Sequence, residues 1–219
     1  MAGRFVSFEG GEACGKSTQV ARLIRKLESL GHQVLSIREP GSTQAGEAIR
    51  NLLLHSDQGI SLTPAAELLL FGASRAQLVE EVIRPGLNAG KIVVADRFTD
   101  STTVYQGIAR GLELKFIREL EEFVCAGLRP AITFLLDLDL ETIRNRRLRR
   151  VRPVNGPDRI EELPLEFHRK VREGYLQLAR EFPERITPFV RRSLCRQRNI
   201  ACRVLHKEHQ VILARNIAV

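Results

Sequence analysis

The stretch Gly10–Ser17 constrains this chain more than any other part of its sequence. It reads Gly-Gly-Glu-Ala-Cys-Gly-Lys-Ser and fits the pattern G-x-x-x-x-G-K-[ST]. The segment Arg-Phe-Val-Ser-Phe at 4–8 predicts a short buried strand before it, and the spacing of apolar residues over 20–30 predicts an amphipathic helix after it. A strand, a glycine-rich loop and a helix form a cradle for phosphate, because the loop N–H groups and the helix N-terminus point at the anion.

The same loop predicts how a nucleoside triphosphate is held. Lys16 is expected to reach the β- and γ-phosphates, and the Ser17 hydroxyl is expected to bind Mg²⁺. Every residue of the loop is a candidate for this site: Gly10, Gly11, Glu12, Ala13, Cys14, Gly15, Lys16, Ser17 and Thr18.

Length and composition favour one α/β domain. The chain has 219 residues, and its apolar content of 43% is sufficient for a sizeable core. No apolar run approaches the length of about 18 residues that a membrane span needs. The first strand begins so early that no room is expected for a signal peptide. The four cysteines (14, 125, 195 and 202) lack the spacing of a disulfide framework, which predicts reduced thiols and a cytoplasmic location.

The net charge of +8 is concentrated at the end of the chain. Residues 185–219 contain eight Arg and Lys and one acidic residue, Glu208, whereas residues 1–184 contain 26 basic and 25 acidic residues. A nucleic-acid footprint normally lies on the folded surface, and here the body of the protein is nearly neutral. Nucleic acid is therefore not the expected partner, and a membrane is not expected either.

Strands and helices are predicted to alternate along the chain. Further strands are expected at 33–37, 91–95 and 130–136, and helices at 44–55, 63–84, 112–126, 140–150 and 163–182. A polar segment at 99–106 is expected to begin another helix, and Pro85-Gly86 is expected to end the helix before it. This alternation predicts a parallel sheet covered by helices on both faces, with ligands beyond the carboxyl ends of the strands.

Arginines near those strand ends are candidates for binding a second phosphate-bearing substrate. Phosphoryl transfer depends on positioning and positive charge, and guanidinium groups bind phosphate in a bidentate manner. Taken singly, each candidate also fits a solvated surface arginine, and Arg97 fits that interpretation least because it follows a buried strand. The candidates are Arg38, Arg50, Arg75 and Arg97.

Three acidic residues and one aromatic residue complete the set of candidates. Asp96 either helps to hold Mg²⁺ or orients an arginine, and Glu9 and Glu12 are close enough to the loop to reach the metal or a sugar hydroxyl. Phe71, one turn before Arg75, either stacks on a base or packs in the core.

Six arginines lie within residues 144–152, just before a loop that contains Pro and Gly. This composition predicts a lid over about 146–160 that closes on the triphosphate. A solvated basic face of a helix is the alternative interpretation.

Several of these motifs together resemble bacterial thymidylate kinases. They are the loop 10–18, Arg38-Glu-Pro-Gly41, Phe71-Gly-Ala-Ser-Arg75, Asp96-Arg-Phe98, Tyr105-Gln-Gly107 and Asp158-Arg159, in that order within about residues 4–184. The resemblance implies a three-layer P-loop kinase fold and a homodimer. It also implies Mg²⁺-dependent transfer of the γ-phosphoryl group of ATP to dTMP, which gives dTDP for dTTP synthesis.

The resemblance also implies roles around the dTMP base. Phe71 would stack on thymine, and Arg75 would bridge the base and the monophosphate. Thr102 and Gln106 would face the thymine edge.

Further roles concern the dTMP phosphate and sugar. Arg97 and Arg38 would hold the acceptor phosphate, and Tyr105 would pack near the deoxyribose. Glu12 would address the 3′-hydroxyl or organise the site around it.

The ATP side depends on the predicted lid. One class of the family has an arginine inside the phosphate loop, and another supplies it from the lid. Residues 11–14 contain no basic side chain, so the resemblance implies that Arg150 or Arg152 contacts ATP, with the choice between them open. Arg146 is implied to stack on adenine.

The sequence departs from the family at two places. Ser42 stands where a glycine is common, a mild change in a turn. After residue 186 the chain reads Thr-Pro-Phe where a last strand is usual, and proline lacks the N–H that a central strand needs. We therefore predict a kinase domain over 1–186 and a divergent basic segment over 187–219.

Two other functions remain open on the sequence. One is a different nucleoside monophosphate kinase of the same fold. The other is an ATP-binding regulator with a phosphate loop, whose basic tail contacts nucleic-acid phosphates.

Overall fold

A computed structural model describes residues 3–54, 61–149 and 159–190 of the chain. It contains a five-stranded sheet in which every pairing is parallel and the strand order is β2-β3-β1-β4-β5. The strands are β1 (Arg4–Glu9), β2 (Val34–Arg38), β3 (Ile92–Asp96), β4 (Ile132–Asp137) and β5 (Ile186–Val190).

Helices connect the strands and cover both faces of the sheet. They are α1 (Lys16–Glu28), α2 (Gln44–Leu54), α3 (Pro64–Leu78), α4 (Arg84–Asn88), α5 (Thr99–Thr102), α6 (Leu114–Cys125), α7 (Leu140–Arg149) and α8 (Leu165–Glu181). A π-helical segment, Val79–Ile83, joins α3 to α4, and a second, Thr103–Ala109, continues α5. No described helix combines the length and the apolar character that a bilayer crossing requires.

Alternating side chains of the central strands divide the core into two sides. Val6 and Phe8 of β1 pack with Leu23 and Leu27 of α1. Phe5, which points the other way, packs with residues of α3 and α6. Because both faces are buried, the strands are nearly continuous apolar runs, as expected for a parallel sheet between two helical layers. The predicted parallel architecture is confirmed.

The prediction that a helix ends before Pro85 is wrong. The chain stays helical through the π-helical segment into α4, and Pro85 lies in the first turn of α4. The proline follows a π-helical turn, where the Arg84 N–H bonds to the Val79 carbonyl oxygen and the regular α-helical hydrogen bonds are already interrupted. Gly86 allows close packing, since a Cβ there would lie 2.7 Å from Leu35 Cδ2.

The last strand, which Pro188 puts in doubt, is present. Among the described strands, β5 pairs with β4 alone and lies at an edge of the sheet, where a residue without an N–H is tolerated. Ile186 and Phe189 are buried, and the Phe189 ring lies 5.5 Å from that of Phe134. The sheet therefore continues four residues past the predicted boundary at 186. Residues 191–219 lie outside the described ranges, so the division into domain and basic segment stays a prediction.

Candidate active site

A cleft of about 640 Å³ lies at the carboxyl ends of β1, β2 and β3. It brings together residues that are distant in the sequence, from Glu12 in the glycine-rich loop to Arg146 on α7, 134 positions later. The predicted site residues that line it are Glu12, Ala13, Gly15, Lys16, Ser17, Thr18, Arg38, Arg50, Phe71, Arg75, Asp96, Arg97, Thr102, Tyr105, Gln106 and Arg146.

The glycine-rich loop has the backbone that its sequence predicts. Gly10 and Gly15 have φ values of 137° and 99°, and a Cβ on Gly10 would lie 2.4 Å from the Leu136 carbonyl oxygen. Lys16 begins α1, and its Nζ donates to the carbonyl oxygens of Gly10 at 3.1 Å and Gly11 at 2.8 Å. The loop thus wraps around the ammonium group, next to the positive end of a helix.

Ser17 and Asp96 provide a pair of oxygen ligands at the cleft. Ser17 Oγ donates to Asp96 Oδ2 at 2.7 Å, and both residues line the cleft. A hydroxyl and a carboxylate are the hard oxygen donors that Mg²⁺ prefers, usually alongside water and substrate phosphates. The donor set therefore fits the predicted metal.

Glu9, the third predicted metal ligand, lies behind the cleft and does not line it. Its carboxylate is buried and accepts hydrogen bonds from the Phe98 N–H at 2.7 Å, Ser101 Oγ at 2.7 Å and Tyr175 Oη at 2.8 Å. Burial, together with the nearby charge of Asp100, raises its pKa to about 7. This geometry favours a role in anchoring the turn after β3 over a role in metal binding.

Arg97 lies at the centre of the cleft in a backbone conformation that L-residues rarely adopt, with φ of 75°. Its Nη1 donates to the carbonyl oxygen of Gly10 at 3.1 Å and to Tyr175 Oη at 3.2 Å, and its Nη2 forms an ion pair with Glu12. The guanidinium also lies 5.1 Å from the centre of the Tyr105 ring. A strained backbone supported by this many contacts is typical of a functional residue.

Glu12 is held in its ionised form. Burial alone would raise its pKa, but Arg97 and Lys16 lower it to about 2, and Tyr105 Oη donates to it at 2.9 Å. A carboxylate with so low a pKa is a weak base. The geometry therefore favours Glu12 as a residue that organises Arg97 and a substrate hydroxyl.

Arg75 is more buried than its predicted role suggests. Only 1% of its side chain is exposed, and its Nε and Nη2 donate to Glu39 Oε2 at 2.9 and 2.6 Å. Its Nη1 lies 3.6 Å from Glu121 Oε1 and makes no hydrogen bond within the described ranges. Arg75 lines the cleft, but its guanidinium is held between the carboxylates of Glu39 and Glu121.

Three residues predicted at the base line the same part of the cleft. Phe71 is half-buried against the core around α8. Thr102 is buried, and its Oγ1 has no hydrogen-bond partner among the described residues. Gln106 is buried and donates from Nε2 to Glu67 Oε1 at 2.9 Å. An aromatic face and two polar side chains together suit a planar, hydrogen-bonding ligand.

Arg38 and Arg50 lie at the more open side of the cleft. Arg38 is 57% exposed and pairs with Glu47 at 2.9 Å, and Arg50 Nη1 donates to the Pro40 carbonyl oxygen at 2.8 Å. Ser42, which replaces a common glycine of the family, has φ of 68° and accepts a hydrogen bond from the Arg38 N–H at 2.8 Å. The positive φ explains why glycine suits this position.

Arg146 on α7 lies against the phosphate loop. Its Nη1 donates to the carbonyl oxygens of Ala13 and Cys14, each at 3.2 Å. Contact with adenine stays a prediction. Arg150 and Arg152, together with most of the predicted lid, lie outside the described residues.

Four residues that hold this site in place were missed in the sequence. Glu39 and Glu67 are buried carboxylates bonded to arginines, and Ser101 and Tyr175 complete the contacts of Glu9 and Arg97. Except for the contact between Ser101 and Arg97, their partners lie far away along the chain, so spacing carries no signal for these pairs. The one available signal is the presence of acidic residues within otherwise apolar helical stretches, as at Glu67.

Comparison with known proteins identifies the family of this chain. The sequence model of the family described as thymidylate kinase matches residues 8–192. The thymidylate kinase of Syntrophotalea carbinolica is 51% identical over 188 residues, which cover 83% of this chain and 85% of that protein. The chain belongs to the thymidylate kinase family.

Other relatives agree with this assignment. The thymidylate kinase of Thermoanaerobacter sp. is 45% identical over 84% of this chain and 88% of its own length. A crystal structure of thymidylate kinase from Ehrlichia chaffeensis superposes with a TM-score of 0.70 at 32% identity, covering 86% of this chain and 93% of that one. The P-loop kinase fold implied by the sequence is confirmed, and so is the class of enzyme, a phosphotransferase that uses ATP and dTMP.

Proposed function

We propose that this chain catalyses the Mg²⁺-dependent transfer of the γ-phosphoryl group of ATP to the 5′-phosphate of dTMP, and that residues of the cleft bind both substrates. The observation that carries the proposal is that one cleft joins the phosphate loop to a second group of cationic, aromatic and polar side chains. A kinase for a monophosphate needs both groups within reach of one phosphoryl group.

On the ATP side, the loop N–H groups and Lys16 bind the β- and γ-phosphates. Ser17 and Asp96 hold Mg²⁺, as supported by their hydrogen bond at 2.7 Å on the cleft wall. An ion held by these two oxygens would supply charge neutralisation at the phosphate oxygens. Arg146 lies beside the loop, where its charge adds to that of Lys16.

On the dTMP side, Arg97 and Arg38 bind the acceptor phosphate and orient it towards the loop. Phe71 stacks on the base, and Arg75 bridges the base and the monophosphate. Thr102 and Gln106 bind the polar edge of the base, an assignment supported for Thr102 by its buried Oγ1, which has no partner among the described residues. These residues exclude water and fix the direction of attack, which supplies most of the rate in a reaction with little covalent chemistry for the protein.

Between the two substrates, Glu12 and Tyr105 act on the sugar. Glu12 holds Arg97 in place and binds the 3′-hydroxyl, and the Tyr105 ring packs against the deoxyribose. The hydrogen bond from Tyr105 Oη to Glu12 supports this pairing.

Four further assignments complete the proposal. Arg150 or Arg152 approaches the ATP phosphates from a lid over about 146–160. Residues 1–190, which include β5, form the catalytic domain, and the basic segment after them takes no part in its chemistry. Two chains form a homodimer. The location is cytoplasmic, in keeping with Cys14 and Cys125, which are both free and buried.

A coupled assay of ADP release tests the proposal, with dTMP, dUMP, dCMP and AMP as acceptors and with Mg²⁺ or EDTA present. We expect turnover with dTMP that EDTA abolishes. A preference for AMP or dCMP would assign the chain to another monophosphate. No turnover with any acceptor, together with salt-sensitive binding to DNA, would favour the regulator.

A further inference from the structure

Glu67 on α3 is a buried carboxylate that the proposed chemistry leaves without a role. Its side chain is 1% exposed and does not line the cleft. Its Oε1 accepts from Gln106 Nε2 at 2.9 Å and Arg110 Nε at 2.7 Å. Its Oε2 accepts from Arg110 Nη2 at 2.9 Å and Arg159 Nη2 at 2.5 Å. One carboxylate therefore receives four hydrogen bonds from three residues.

The two arginines keep Glu67 ionised. Burial alone would raise its pKa, but the hydrogen bonds from Arg110 and Gln106 and the arginine charges lower it below its ordinary value. An ionised carboxylate offers acceptors only. Glu67 therefore accepts hydrogen bonds from its neighbours and donates none.

This property decides which way the Gln106 amide points. The side-chain amide of a glutamine can usually be rotated by 180°, because its oxygen and its nitrogen are similar in size. Against a carboxylate, only the nitrogen makes a favourable contact. The amide oxygen of Gln106 makes no hydrogen bond within the described part of the chain, and Gln106 lines the cleft.

We propose that Glu67 is a positioning residue for base selection. It orients the Gln106 amide so that the amide oxygen, a hydrogen-bond acceptor, faces the cleft. This inference rests on the proposed function, in which Gln106 faces the base of the acceptor nucleotide. Thymine and uracil carry a hydrogen on N3 and donate there, whereas N3 of cytosine is an acceptor. The fixed amide oxygen therefore favours thymine and uracil and repels cytosine.

The matched test is Glu67→Gln, which keeps the size of the side chain but adds a donor. Gln106 can then turn its oxygen towards residue 67 and its nitrogen towards the cleft. We expect the ratio of kcat/KM for dTMP to that for dCMP to fall by about tenfold or more, since a buried mismatch of donors and acceptors is costly. KM for dTMP should rise, KM for ATP should stay the same, and the dTMP to dUMP ratio should not change.

The chain contains a matched control on its surface. Gln77 Nε2 donates to Glu81 Oε2 at 2.8 Å, so the same pair of side chains occurs in an exposed position. Glu81→Gln makes the same chemical change away from the cleft. We expect it to leave both KM values and the base ratio within about twofold of the wild type, as surface substitutions usually do.

Gln106→Leu keeps the test decisive if Glu67→Gln folds poorly, because it removes the amide and leaves Glu67 in place. We expect the same loss of dTMP over dCMP selection, and no further loss in the double variant, since Glu67 acts through Gln106. Unchanged selection in Gln106→Leu, or additive losses in the double variant, would overturn the inference. A wild type that makes no dTDP would instead overturn the proposed function.

Discussion

The two halves of the cleft are built in different ways. The donor half is the loop of residues 10–18, a single continuous stretch whose shape comes from backbone conformation at Gly10, Ala13 and Gly15. The acceptor half comes from separate elements and consists of Arg38, Phe71, Arg75, Arg97, Thr102, Tyr105 and Gln106. Buried hydrogen bonds and ion pairs hold the acceptor half in shape.

The difference lies in the range of the contacts. Lys16 bonds to carbonyl oxygens five and six positions away. Arg75 bonds to Glu39 across 36 positions, and Gln106 bonds to Glu67 across 39. A local motif can bind phosphate in many folds, whereas charges paired over long distances make the acceptor half depend on the whole domain. Glu12 joins the halves, since it belongs to the loop and pairs with Arg97.

The largest expected effect comes from Arg97→Ala, which breaks the ion pair between Arg97 and Glu12 that joins the two halves. The substitution removes the proposed clamp on the acceptor phosphate and leaves the buried charge of Glu12 unpaired. We expect kcat/KM for dTMP to fall by about 10³-fold or more. The steady-state assay decides, with Arg84→Ala as control because Arg84 pairs with Glu80 on the surface. Activity near that of the control would refute the role of Arg97.

Lys16→Met breaks the donor half alone. It removes a charge from the proposed phosphate site and keeps a side chain of similar length. We expect kcat to fall by about 10²–10³-fold, while the Kd for dTMP, measured by calorimetry, changes by less than about twofold. Lys26→Met, on the exposed face of α1, is the control. A large loss of dTMP affinity in Lys16→Met would mean that the halves are not separable.

Glu121→Gln tests the buried charges behind the acceptor half. Burial raises the pKa of Glu121 to about 8, so the folded protein keeps a proton that the unfolded chain loses above about pH 4.5. The wild type should therefore lose stability as pH rises from about 4.5 to 8, by an amount on the order of a few kcal/mol.

Urea unfolding at pH 5 and pH 8.5 measures this effect. Glu121→Gln should show a smaller loss over the same range, because it cannot ionise. Glu122→Gln, at an exposed neighbour paired with Arg129, should behave as the wild type. If the free energy of unfolding changed equally between pH 5 and pH 8.5 in all three proteins, Glu121 would have an ordinary pKa.

The smallest effect concerns the backbone of the donor loop. Ala13 has φ of 54°, a conformation that glycine adopts without steric strain. We expect Ala13→Gly to raise the free energy of unfolding by up to about 1 kcal/mol. Ala21→Gly, the same change at an exposed position within α1, should lower it by about 1 kcal/mol. If both substitutions lowered the free energy of unfolding, the backbone at Ala13 would not be strained.

The same contrast explains how much could be predicted from the sequence. Strand and helix periodicity predicted the parallel sheet, and the glycine pattern predicted the loop, because both are local signals. The end of the helix at Pro85 was wrong, since the rule for proline does not anticipate a π-helical segment that restarts the helix. The strand around Pro188 is present because β5 lies at an edge, which only the topology reveals.

In the acceptor half, the arginines and Phe71 were candidates from their positions near strand ends, and Thr102, Tyr105 and Gln106 were found through the resemblance to a family. The residues that support them were not found. Nothing in the spacing of Glu39, Glu67 or Tyr175 indicates that they contact Arg75, Gln106 and Arg97. Such contacts appear only once the strands are in order. Glu9 shows the converse, because a carboxylate beside the phosphate loop suggested a metal ligand and the structure places it behind the cleft.

Direct transfer of label tests most plainly whether the two halves form one two-substrate site. ATP carrying ³²P in its γ-phosphate is incubated with dTMP and Mg²⁺, and the products are separated by chromatography. We predict that the label appears in dTDP, at a rate that depends on both substrates and is lost in both Arg97→Ala and Lys16→Met. Release of the label as inorganic phosphate, with none in dTDP, would contradict the account.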